Sequence, residues 1–249
     1  MSRENEFERL RVVLVNARNP LNIGAAARAM SNFGFKHLRV VNPFDVAFRE
    51  ARSAVGAVPL LAQAEEFQSV ADAVTDCSLV VGTTALNRRN PEHIVRNLTE
   101  GARLIRKRLA RNKVALLFGS EKRGLSNEDF SYCHCLLHIP TAEAHRSMNL
   151  GQAVAVCLYE LFRDAKRVRP SETVKLARAS DLERLTSLLL DALRASDYLK
   201  SRSTEDSAAP ATTREEERIR RFARRMRLSS SDAEQLTGML RQILWKLGP

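Results

Sequence analysis

The sequence predicts an α/β protein with a mostly parallel sheet, followed by a small all-helical extension. Short aliphatic runs alternate with longer helical stretches over the first two thirds of the 249 residues. Most of these runs end at glycine, asparagine or proline, which is typical of strand ends. Beyond residue 164 the pattern is helical only, and basic side chains become denser. We therefore expect a first domain over residues 1–165 and an extension over residues 166–249.

The first domain contains five short runs that are predicted to form strands. These runs cover residues 11–16, 37–41, 79–81, 114–118 and 136–139. Helices are predicted over residues 22–33, 65–74 and 150–162. Gly34 follows the first helix, where glycine commonly ends a helix in a left-handed conformation. Since strands alternate with helices, we expect helices on both faces of the sheet.

The extension shows helical patterns with basic surfaces. Residues 181–199 carry a leucine stripe, and residues 214–227 surround an apolar face with arginines. A capping box formed by Ser231 and Glu234 predicts the start of the last helix. Residues 201–213 have the composition of a linker. The extension holds 18 basic and 12 acidic side chains, a net charge of +6.

The whole chain carries a net charge of +11 and has a pI near 10.1. Such an excess favours a polyanionic partner, most simply a nucleic acid. The alternative is a basic surface that only keeps the protein soluble. Because the chain has one Trp and three Tyr, we expect recognition by shape and phosphates rather than by base stacking. The arginine-rich residues 214–227 are candidates for holding those phosphates.

Two other classes of protein are disfavoured. The four cysteines are too few and too irregularly spaced for the disulfide scaffold of a secreted protein. The first ten residues are charged and contain no apolar signal core. No apolar run approaches the roughly 18 residues that span a bilayer. We expect a soluble cytoplasmic protein.

The run CHCLLH, residues 133–138, contains four potential metal ligands. On a strand, Cys133 and Cys135 lie on one face, and His134 and His138 lie on the other. This arrangement splits the ligands, and the sequence has no second cluster. We therefore expect core cysteines and ordinary histidines, and no metal site.

In open α/β sheets, ligands bind beyond the carboxyl ends of the strands. The unusual residues of those segments are Asn22, Arg28, Glu121, Arg123, Ser147 and Asn149. Neither GxGxxG after the first strand nor GxxxxGK(S/T) is present. Their absence argues against a dinucleotide-binding dehydrogenase and a P-loop NTPase.

Three segments carry a specific resemblance. NPLNIGAAARAM opens the chain, and LLFGSEKRGLSNED and IPTAEAHRSMNLGQAVAV follow about a hundred residues later. In this order they resemble the three-motif pattern of the SPOUT superfamily of RNA methyltransferases. Over residues 10–165 the sequence is similar to the TrmH-like family of ribose 2′-O-methyltransferases. The segment GFKHLRVVNP and the basic helical extension most resemble the TrmJ type, which methylates a ribose in the tRNA anticodon loop.

The resemblance implies a fold, a cofactor and an assembly. The fold has a deep trefoil knot near its C-terminal half, which binds S-adenosylmethionine, and a homodimer completes the active site. Neither composition nor periodicity indicates a knot. The implied reaction is methyl transfer to a ribose 2′-hydroxyl of tRNA, without a metal or a membrane. The alternatives are an rRNA ribose 2′-O-methyltransferase and a catalytically silent RNA-binding protein on the same fold.

The resemblance also assigns roles to individual residues. The implied catalytic set is Arg28, Asn22, Glu121, Ser147 and Asn149. The implied cofactor-binding set is Thr83, Thr84, Ala85, Gly119, Ile139, Ser147 and Met148. RNA contacts are expected from Arg28, Arg123 and Arg146. Two positions depart from TrmJ-like sequences, which commonly have a small polar residue at position 146 and leucine at position 148.

Simpler roles remain open for part of the catalytic set. Asn22 caps its helix or holds the ribose phosphate, or does both. Ser147 and Asn149 precede a long apolar helix, which they could also cap. Glu121 is either a solvated loop carboxylate or the partner of an arginine, Arg28 or Arg123, in a bidentate pair.

Arg28 is the single cation in an alanine-rich helix that packs tightly. Small residues let backbone and RNA come close, and Arg28 then projects a fixed charge towards the hydroxyl or a neighbouring phosphate. Guanidinium groups are poor proton acceptors. We therefore assign Arg28 the stabilisation of the developing alkoxide, with the proton leaving through water or a neighbouring group.

Overall fold

The computed structural model describes residues 6–53, 59–86, 92–143, 147–163, 175–199 and 211–247. The strands of these residues are β1 (Leu10–Val15), β2 (His37–Val41), β3 (Glu65–Phe67), β4 (Leu79–Thr84), β5 (Val95–Asn97), β6 (Val114–Phe118) and β7 (Cys135–His138). They form one parallel sheet in the order β3-β2-β1-β6-β4-β7-β5. The predicted α/β architecture is confirmed.

Helices cover this sheet and continue beyond it. Those before residue 164 are α1 (Pro20–Asn32), α2 (Asp45–Ser53), α3 (Pro59–Ala62), α4 (Val70–Ala73), α5 (Leu98–Leu109), α6 (Asn127–Ser131) and α7 (Leu150–Arg163). Those after residue 174 are α8 (Ala179–Ala195), α9 (Ala211–Arg225) and α10 (Ser230–Leu247). Gly34 follows α1 with a φ of 76°, as the C-cap prediction requires.

Apolar side chains are buried on both faces of the sheet, which explains the uninterrupted aliphatic strands. On one face, α1, α5 and α7 cover the sheet with residues such as Met30, Ile105 and Leu158. On the other face, α4 and α6 contribute Val70 and Phe130. The helices predicted for both faces are therefore present.

The strand order brings three loops together. β6 lies between β1 and β4, and β7 lies between β4 and β5, so two late strands insert between earlier ones. Since all strands are parallel, the loops after β4, β6 and β7 leave the sheet at the same edge. Two of these loops contain the second and third motif segments. The trefoil knot stays a prediction from the resemblance.

The predicted helix over residues 65–74 is wrong in its first half. Its first three residues form the edge strand β3, which pairs with β2, and only α4 is helical. Ser69 caps α4. Pairing between strands distant in sequence overrides local propensity here, and Glu65 adds an ion pair with Arg39 at 3.4 Å.

The capping box predicted for the last helix is also wrong. α10 begins at Ser230, and the two reciprocal hydrogen bonds of its box join Ser229 and Asp232 at 3.0 and 3.3 Å. Ser231 with Glu234 fits the same sequence pattern two residues later. A backbone bridge between Leu176 and Ser229 holds the earlier serine in register. Tertiary pairing therefore decides between two equivalent local signals.

Two predicted boundaries fall largely outside the described residues. The linker predicted over residues 201–213 lies outside them except for its last three residues, which belong to α9. The boundary at residue 165 also lies outside them. The division into residues 1–165 and 166–249 stays a prediction.

The extension docks on the first domain through main-chain and arginine contacts. The Ala179 amide donates to the Cys77 carbonyl at 2.7 Å. Arg224 of α9 is 1% exposed; it donates to the Tyr132 carbonyl at 2.8 Å and pairs with Glu183 of α8 at 3.3 Å. Part of the arginine-rich helix is therefore buried against Tyr132 and Glu183 instead of facing solvent.

The CHCLLH run contributes to the protein core. All four cysteines of the chain are buried and free. His134 accepts a hydrogen bond from the Val80 amide through Nδ1 at 3.0 Å. The described residues contain no group of three or more His, Cys, Asp or Glu side chains that could hold a metal ion. None of the described helices is both long and apolar enough to cross a membrane.

Candidate active site

Several turns at the carboxyl edge of the sheet adopt left-handed backbone conformations. Asn16 follows β1 with a φ of 53°, Asn42 follows β2 with a φ of 45°, and Leu86 lies just beyond β4 with a φ of 56°. Asparagine tolerates this region, whereas leucine rarely adopts it. Residues in such conformations cluster at functional sites, where surrounding contacts hold them. The backbone conformation therefore makes the carboxyl edge of the sheet a candidate functional site.

A cavity of about 430 Å³ lies between the loops that follow β4, β6 and β7. This volume is typical of small-molecule sites. All seven residues of the predicted cofactor-binding set line it: Thr83, Thr84, Ala85, Gly119, Ile139, Ser147 and Met148. Phe130 and Leu150 add apolar surface. The structure brings the whole set together, and its role in cofactor binding stays a prediction.

The turn after β6, residues 119–124, forms one wall of the cavity. Its ends are joined by a hydrogen bond from the Gly124 amide to the Ser120 carbonyl, 2.8 Å long. Gly124 has a φ of 66°, and a Cβ atom on Gly119 would overlap the backbone of Gly124 and Leu125. The turn itself requires both glycines, and it presents main chain rather than side chains to the cavity.

Two threonines at the end of β4 are oriented by the main chain. The Thr83 hydroxyl donates to the Leu117 carbonyl of β6 at 2.9 Å. The Thr84 hydroxyl accepts from the Leu86 amide at 3.2 Å. These bonds fix the cavity wall between β4 and β6 and hold Leu86 in its left-handed conformation.

Three predicted catalytic side chains form a continuous series of hydrogen bonds. Nδ2 of Asn149 donates to Oδ1 of Asn22 at 2.7 Å, and Nδ2 of Asn22 donates to Oε1 of Glu121 at 3.0 Å. An ionised carboxylate only accepts, so Glu121 sets the orientation of the Asn22 amide, which in turn sets that of Asn149. These bonds span 99 and 127 residues of sequence. They join the three motif segments directly.

The hydrogen bonds that described residues donate to Glu121 come from amide groups. Its two carboxylate oxygens also accept from the backbone amides of Arg18 and Asn19, at 3.3 and 3.2 Å. Burial raises the pKa of this carboxyl, but the hydrogen bonds from amide groups outweigh burial and lower it. The described partners of Glu121 within one chain are thus amide groups, and a bidentate pair with Arg28 or Arg123 stays a prediction.

The residues that cap α1 and α7 differ in part from those predicted. The N-cap of α1 is Asn19, whose side chain accepts from the first turn. Asn22 already lies inside the helix, so its predicted capping role is wrong. Asn149 does cap α7, because its Oδ1 accepts from the Gly151 amide at 2.9 Å. Ser147 lines the cavity. Asn149 thus combines a structural role with its place in the hydrogen-bond series.

Arg28 lies apart from this cluster within a single chain. It follows Asn22 by six residues in α1, which places the two side chains roughly 120° apart around the helix axis. Arg28 is exposed, and it is not among the described residues that line the cavity or the cleft beside it. The same side of α1 carries Leu21, which is 80% exposed. One chain therefore assembles four of the five predicted catalytic residues.

A polar cleft of about 990 Å³ shares the turn of residues 119–124 with the cavity. Arg18, Lys122 and Arg123 line this cleft. Arg123 thus lies where an RNA contact was expected, whereas Arg146 lies outside the described residues. Arg18 and Lys122 were missed by the sequence analysis, although each directly adjoins a motif residue.

The comparisons with known proteins agree with this geometry. A model of the SpoU rRNA Methylase family matches residues 9–159. A tRNA (cytidine/uridine/adenosine-2′-O-)-methyltransferase TrmJ from Pseudomonas aeruginosa is 38% identical over 62% of this chain and 61% of its own. The chain thus spans less than two thirds of that relative. A tRNA (cytidine/uridine-2′-O-)-methyltransferase TrmJ from Sodalis glossinidius is 33% identical over 94% of this chain and 91% of its own.

Solved structures extend the similarity to the three-dimensional level. TrmJ from Z. mobilis ZM4 superposes with a TM-score of 0.77 at 28% identity, over 94% of this chain and 98% of its own. A methylase family protein from Neisseria gonorrhoeae gives a TM-score of 0.64 at 25% identity, over 75% and 97%. The resemblance inferred from the three motif segments is confirmed.

Proposed function

Because the chain belongs to the SpoU rRNA Methylase family, we propose that it methylates a ribose 2′-hydroxyl of tRNA, in the anticodon loop, with S-adenosylmethionine. The observation that carries this proposal is that the second and third motif segments line one cavity and that the first is hydrogen-bonded to both of them. Relatives that match nearly the whole chain are named tRNA 2′-O-methyltransferases, which favours tRNA over rRNA. A cytoplasmic location goes with this substrate.

The cavity suits S-adenosylmethionine in size and chemistry. Ile139, Met148 and Leu150 supply an apolar slot for an adenine ring, and the glycine turn of residues 119–124 supplies main-chain hydrogen-bonding groups. When bound there, the cofactor supplies an electrophilic methyl group on a sulfonium. The residues themselves have to position two reactants and manage one proton and one developing negative charge.

The hydrogen-bond series positions the reacting groups. The hydrogen bonds among Glu121, Asn22 and Asn149 hold the three motif segments together. They therefore fix the position of the cavity relative to the polar cleft. The lowered pKa of Glu121 makes its carboxylate a weak base. We therefore assign it a positioning role and leave the proton of the hydroxyl to water. Arg18, Lys122 and Arg123 supply positive charge to the cleft for RNA phosphates.

A homodimer would complete this site. Arg28 does not line the cavity of its own chain, so the proposed alkoxide contact has to be made in a second copy. α1 and α7 pack on each other and expose apolar side chains, Leu21 at 80% and Tyr159 at 52%. A Cβ atom on Gly24, between Leu21 and Arg28, would meet nothing within 4 Å of its own chain. These features favour a partner on this face.

Cofactor binding can be measured without RNA. Calorimetry with S-adenosylmethionine should show binding, and treatment with a chelator should leave it unchanged, because the described residues include no metal-ligand group. Ile139→Asp should abolish the binding by placing a carboxylate in the apolar slot. Circular dichroism would verify that this variant folds. Binding that requires added zinc would refute the proposal.

The RNA class is tested with labelled cofactor on separate tRNA and rRNA fractions from a strain that lacks this protein. The proposal predicts label in tRNA, and mapping would locate the modified nucleotide. Label in rRNA alone would favour the alternative substrate. Binding of RNA without any transfer would indicate a silent RNA-binding protein.

The dimer is tested by mixing two inactive variants. In a mixed dimer of Arg28→Ala and Ile139→Asp chains, one site combines an intact cavity with an intact Arg28 from the other chain. Activity should therefore reappear on mixing, after dissociation and reassembly. If Arg28 serves its own chain, no mixed site is complete and the mixture stays inactive. Light scattering that shows a fully active monomer would also refute the dimer.

A further inference from the structure

A small niche lies between the first domain and the extension, at the end of the sheet opposite the cavity. It is bounded by the amino ends of β4 and β7, by α5, and by residues that flank α8 and α9. Since β4 and β7 have six and four residues, niche and cavity are separated by roughly 15 Å. The niche has a volume of about 40 Å³, which admits a few waters or one phosphate group.

Four arginines line this niche. Arg96 and Arg108 come from the first domain, and Arg225 and Arg227 come from the end of α9 and the residues after it. No aspartate or glutamate is among the described residues that line it. His134 also lines it, and it is neutral because burial and nearby guanidinium groups lower its pKa to about 3. The niche therefore concentrates positive charge that its own walls leave uncompensated.

This arrangement contrasts with the other arginines of α9. Arg220 and Arg224 both pair with Glu183, at 3.0 and 3.3 Å. In the described structure, Arg96, Arg225 and Arg227 form no ion pair with a carboxylate. The Nε atom of Arg96 is buried and has no hydrogen-bond partner among the described residues. Arg220 and Arg224 beside the niche are thus paired with a carboxylate, whereas Arg96, Arg225 and Arg227 inside it have no carboxylate partner among the described residues.

The backbone at Arg227 adds an independent indication. Arg227 has a φ of 54°, in the left-handed region just past the end of α9. Glycine is favoured at such a position because a Cβ atom is strained there. An arginine at this strained position is explained if its side chain binds a ligand in the niche.

We propose that the niche binds a single phosphate group. Guanidinium groups donate in a planar fork that matches phosphate oxygens, and several of them converge here from two domains. The group can be a phosphodiester of bound RNA or free inorganic phosphate, since both present the same oxygens. Because arginines of both domains take part, binding would also fasten the extension to the first domain. This site does not depend on methyl transfer.

The free-phosphate arm measures thermal unfolding of the full chain with inorganic phosphate against chloride at constant ionic strength. At tenfold excess over Kd we expect phosphate to raise the Tm by about 3–6 °C. Arg96→Gln and Arg227→Gln should remove the effect without unfolding the protein, because each reduces repulsion between like charges. Arg241→Gln is the matched control, since Arg241 is exposed on α10 and does not line the niche.

The RNA arm measures the salt dependence of tRNA binding by the same variants. If the niche holds a backbone phosphate, Arg227→Gln should lower affinity and reduce the slope of log K against log salt by about 1, whereas Arg241→Gln leaves both unchanged. A response to inorganic phosphate alone assigns the niche to the free ion, and a change in RNA binding alone assigns it to the phosphodiester. If neither quantity distinguishes the niche variants from the control, the proposal is overturned.

Discussion

Asp76, at the amino edge of the sheet, accepts hydrogen bonds from cations, whereas Glu121, at the carboxyl edge, accepts hydrogen bonds from neutral amides. Arg39 contacts both Asp76 oxygens at 2.6 and 3.1 Å, and Lys113 approaches at 2.9 Å. Burial raises the pKa of Asp76, but these partners more than reverse the effect and hold it well below its usual range. Among the described residues, Glu121 accepts hydrogen bonds from amide groups, and it lines the polar cleft.

Three of the five described non-glycine residues with a positive φ follow strands at the carboxyl edge. Asn16, Asn42 and Leu86 have positive φ values, and all three lie at the carboxyl ends of strands. At the amino edge, Asp76 instead forms ion pairs with Arg11, Arg39 and Lys113. The difference suggests a division of labour, in which the amino edge stabilises the fold and the carboxyl edge holds groups ready for a reaction. The following predictions test this division in order of expected effect.

The largest effect is expected on the rate of methyl transfer from Arg28→Ala. Removing one electrostatic contact to the reacting oxygen should slow single-turnover transfer by about 10²–10³. Cofactor affinity and the free energy of unfolding should barely change, because Arg28 is exposed and does not line the cavity. Arg28→Lys should restore little activity, since an ammonium lacks the planar fork.

The matched control is Arg103→Ala, an exposed arginine on α5, which should leave the rate unchanged. Normal turnover by bound Arg28→Ala would reduce Arg28 to a packing or docking residue. It would also remove the main reason for a site shared between two copies.

At the amino edge, Asp76→Asn should reduce the free energy of unfolding by about 3 kcal/mol. The substitution leaves the largely buried Arg11 without its carboxylate, and it leaves the largely buried Arg39 with the exposed Glu65 alone. Denaturant unfolding would measure this loss. Asp191→Asn, which disrupts only an exposed pair with Arg194, should change stability by less than about 0.5 kcal/mol. If folded Asp76→Asn transferred the methyl group more slowly, the proposed division of roles between the two edges of the sheet would be wrong.

A smaller effect is expected from Glu121→Gln. Glutamine has the shape of glutamate but lacks the negative charge that the amide donors stabilise. Its own NH2 group is a donor, which disfavours the present orientation of those amide donors. We expect single-turnover transfer to slow about tenfold, which corresponds to one weakened charge-assisted hydrogen bond. Stability should stay close to that of the wild type. An unchanged rate with a large loss of stability would assign Glu121 to the fold instead.

The smallest effect concerns pH and His134, at the amino end of β7. Burial and neighbouring arginines lower the pKa of His134 to about 3, whereas an unfolded histidine has a pKa near 6.5. Between these values only the unfolded chain takes up the proton, so this contribution to stability is complete above pH 6.5 and declines below it. We expect a loss of about 1 kcal/mol between pH 7 and pH 5.5. His134→Asn should flatten this dependence, and an identical slope would contradict the assignment.

The strands that the sequence predicted best are those whose burial is uniform. β1 and β6 are buried at all their positions, and their aliphatic runs identify them directly. β3 was mistaken for a helix because its residues are mostly polar, and only pairing with β2 makes them a strand. Local patterns reveal burial, but they do not reveal a partner that lies elsewhere in the chain.

The candidate site was predictable as a set of residues and not as an arrangement. Resemblance gathered the seven cavity residues correctly into one set. The bond between Asn22 and Asn149 joins residues 127 apart, and no local signal indicates it. Leu86 gave no warning of its positive φ, since leucine seldom adopts one. In the proposed homodimer Arg28 reaches the cavity of a second copy, and the pattern of one chain contains no information on that arrangement.

The proposed methylation of a tRNA ribose is tested most simply by single-turnover transfer of a labelled methyl group from S-adenosylmethionine to unmodified tRNA. Digestion to nucleosides and chromatography would then locate the label. We expect label on a ribose 2′-oxygen of one anticodon-loop nucleotide. Arg28→Ala should nearly abolish the transfer, and folded Asp76→Asn should retain it. Label on a base, or transfer by Arg28→Ala at the wild-type rate, would contradict this expectation.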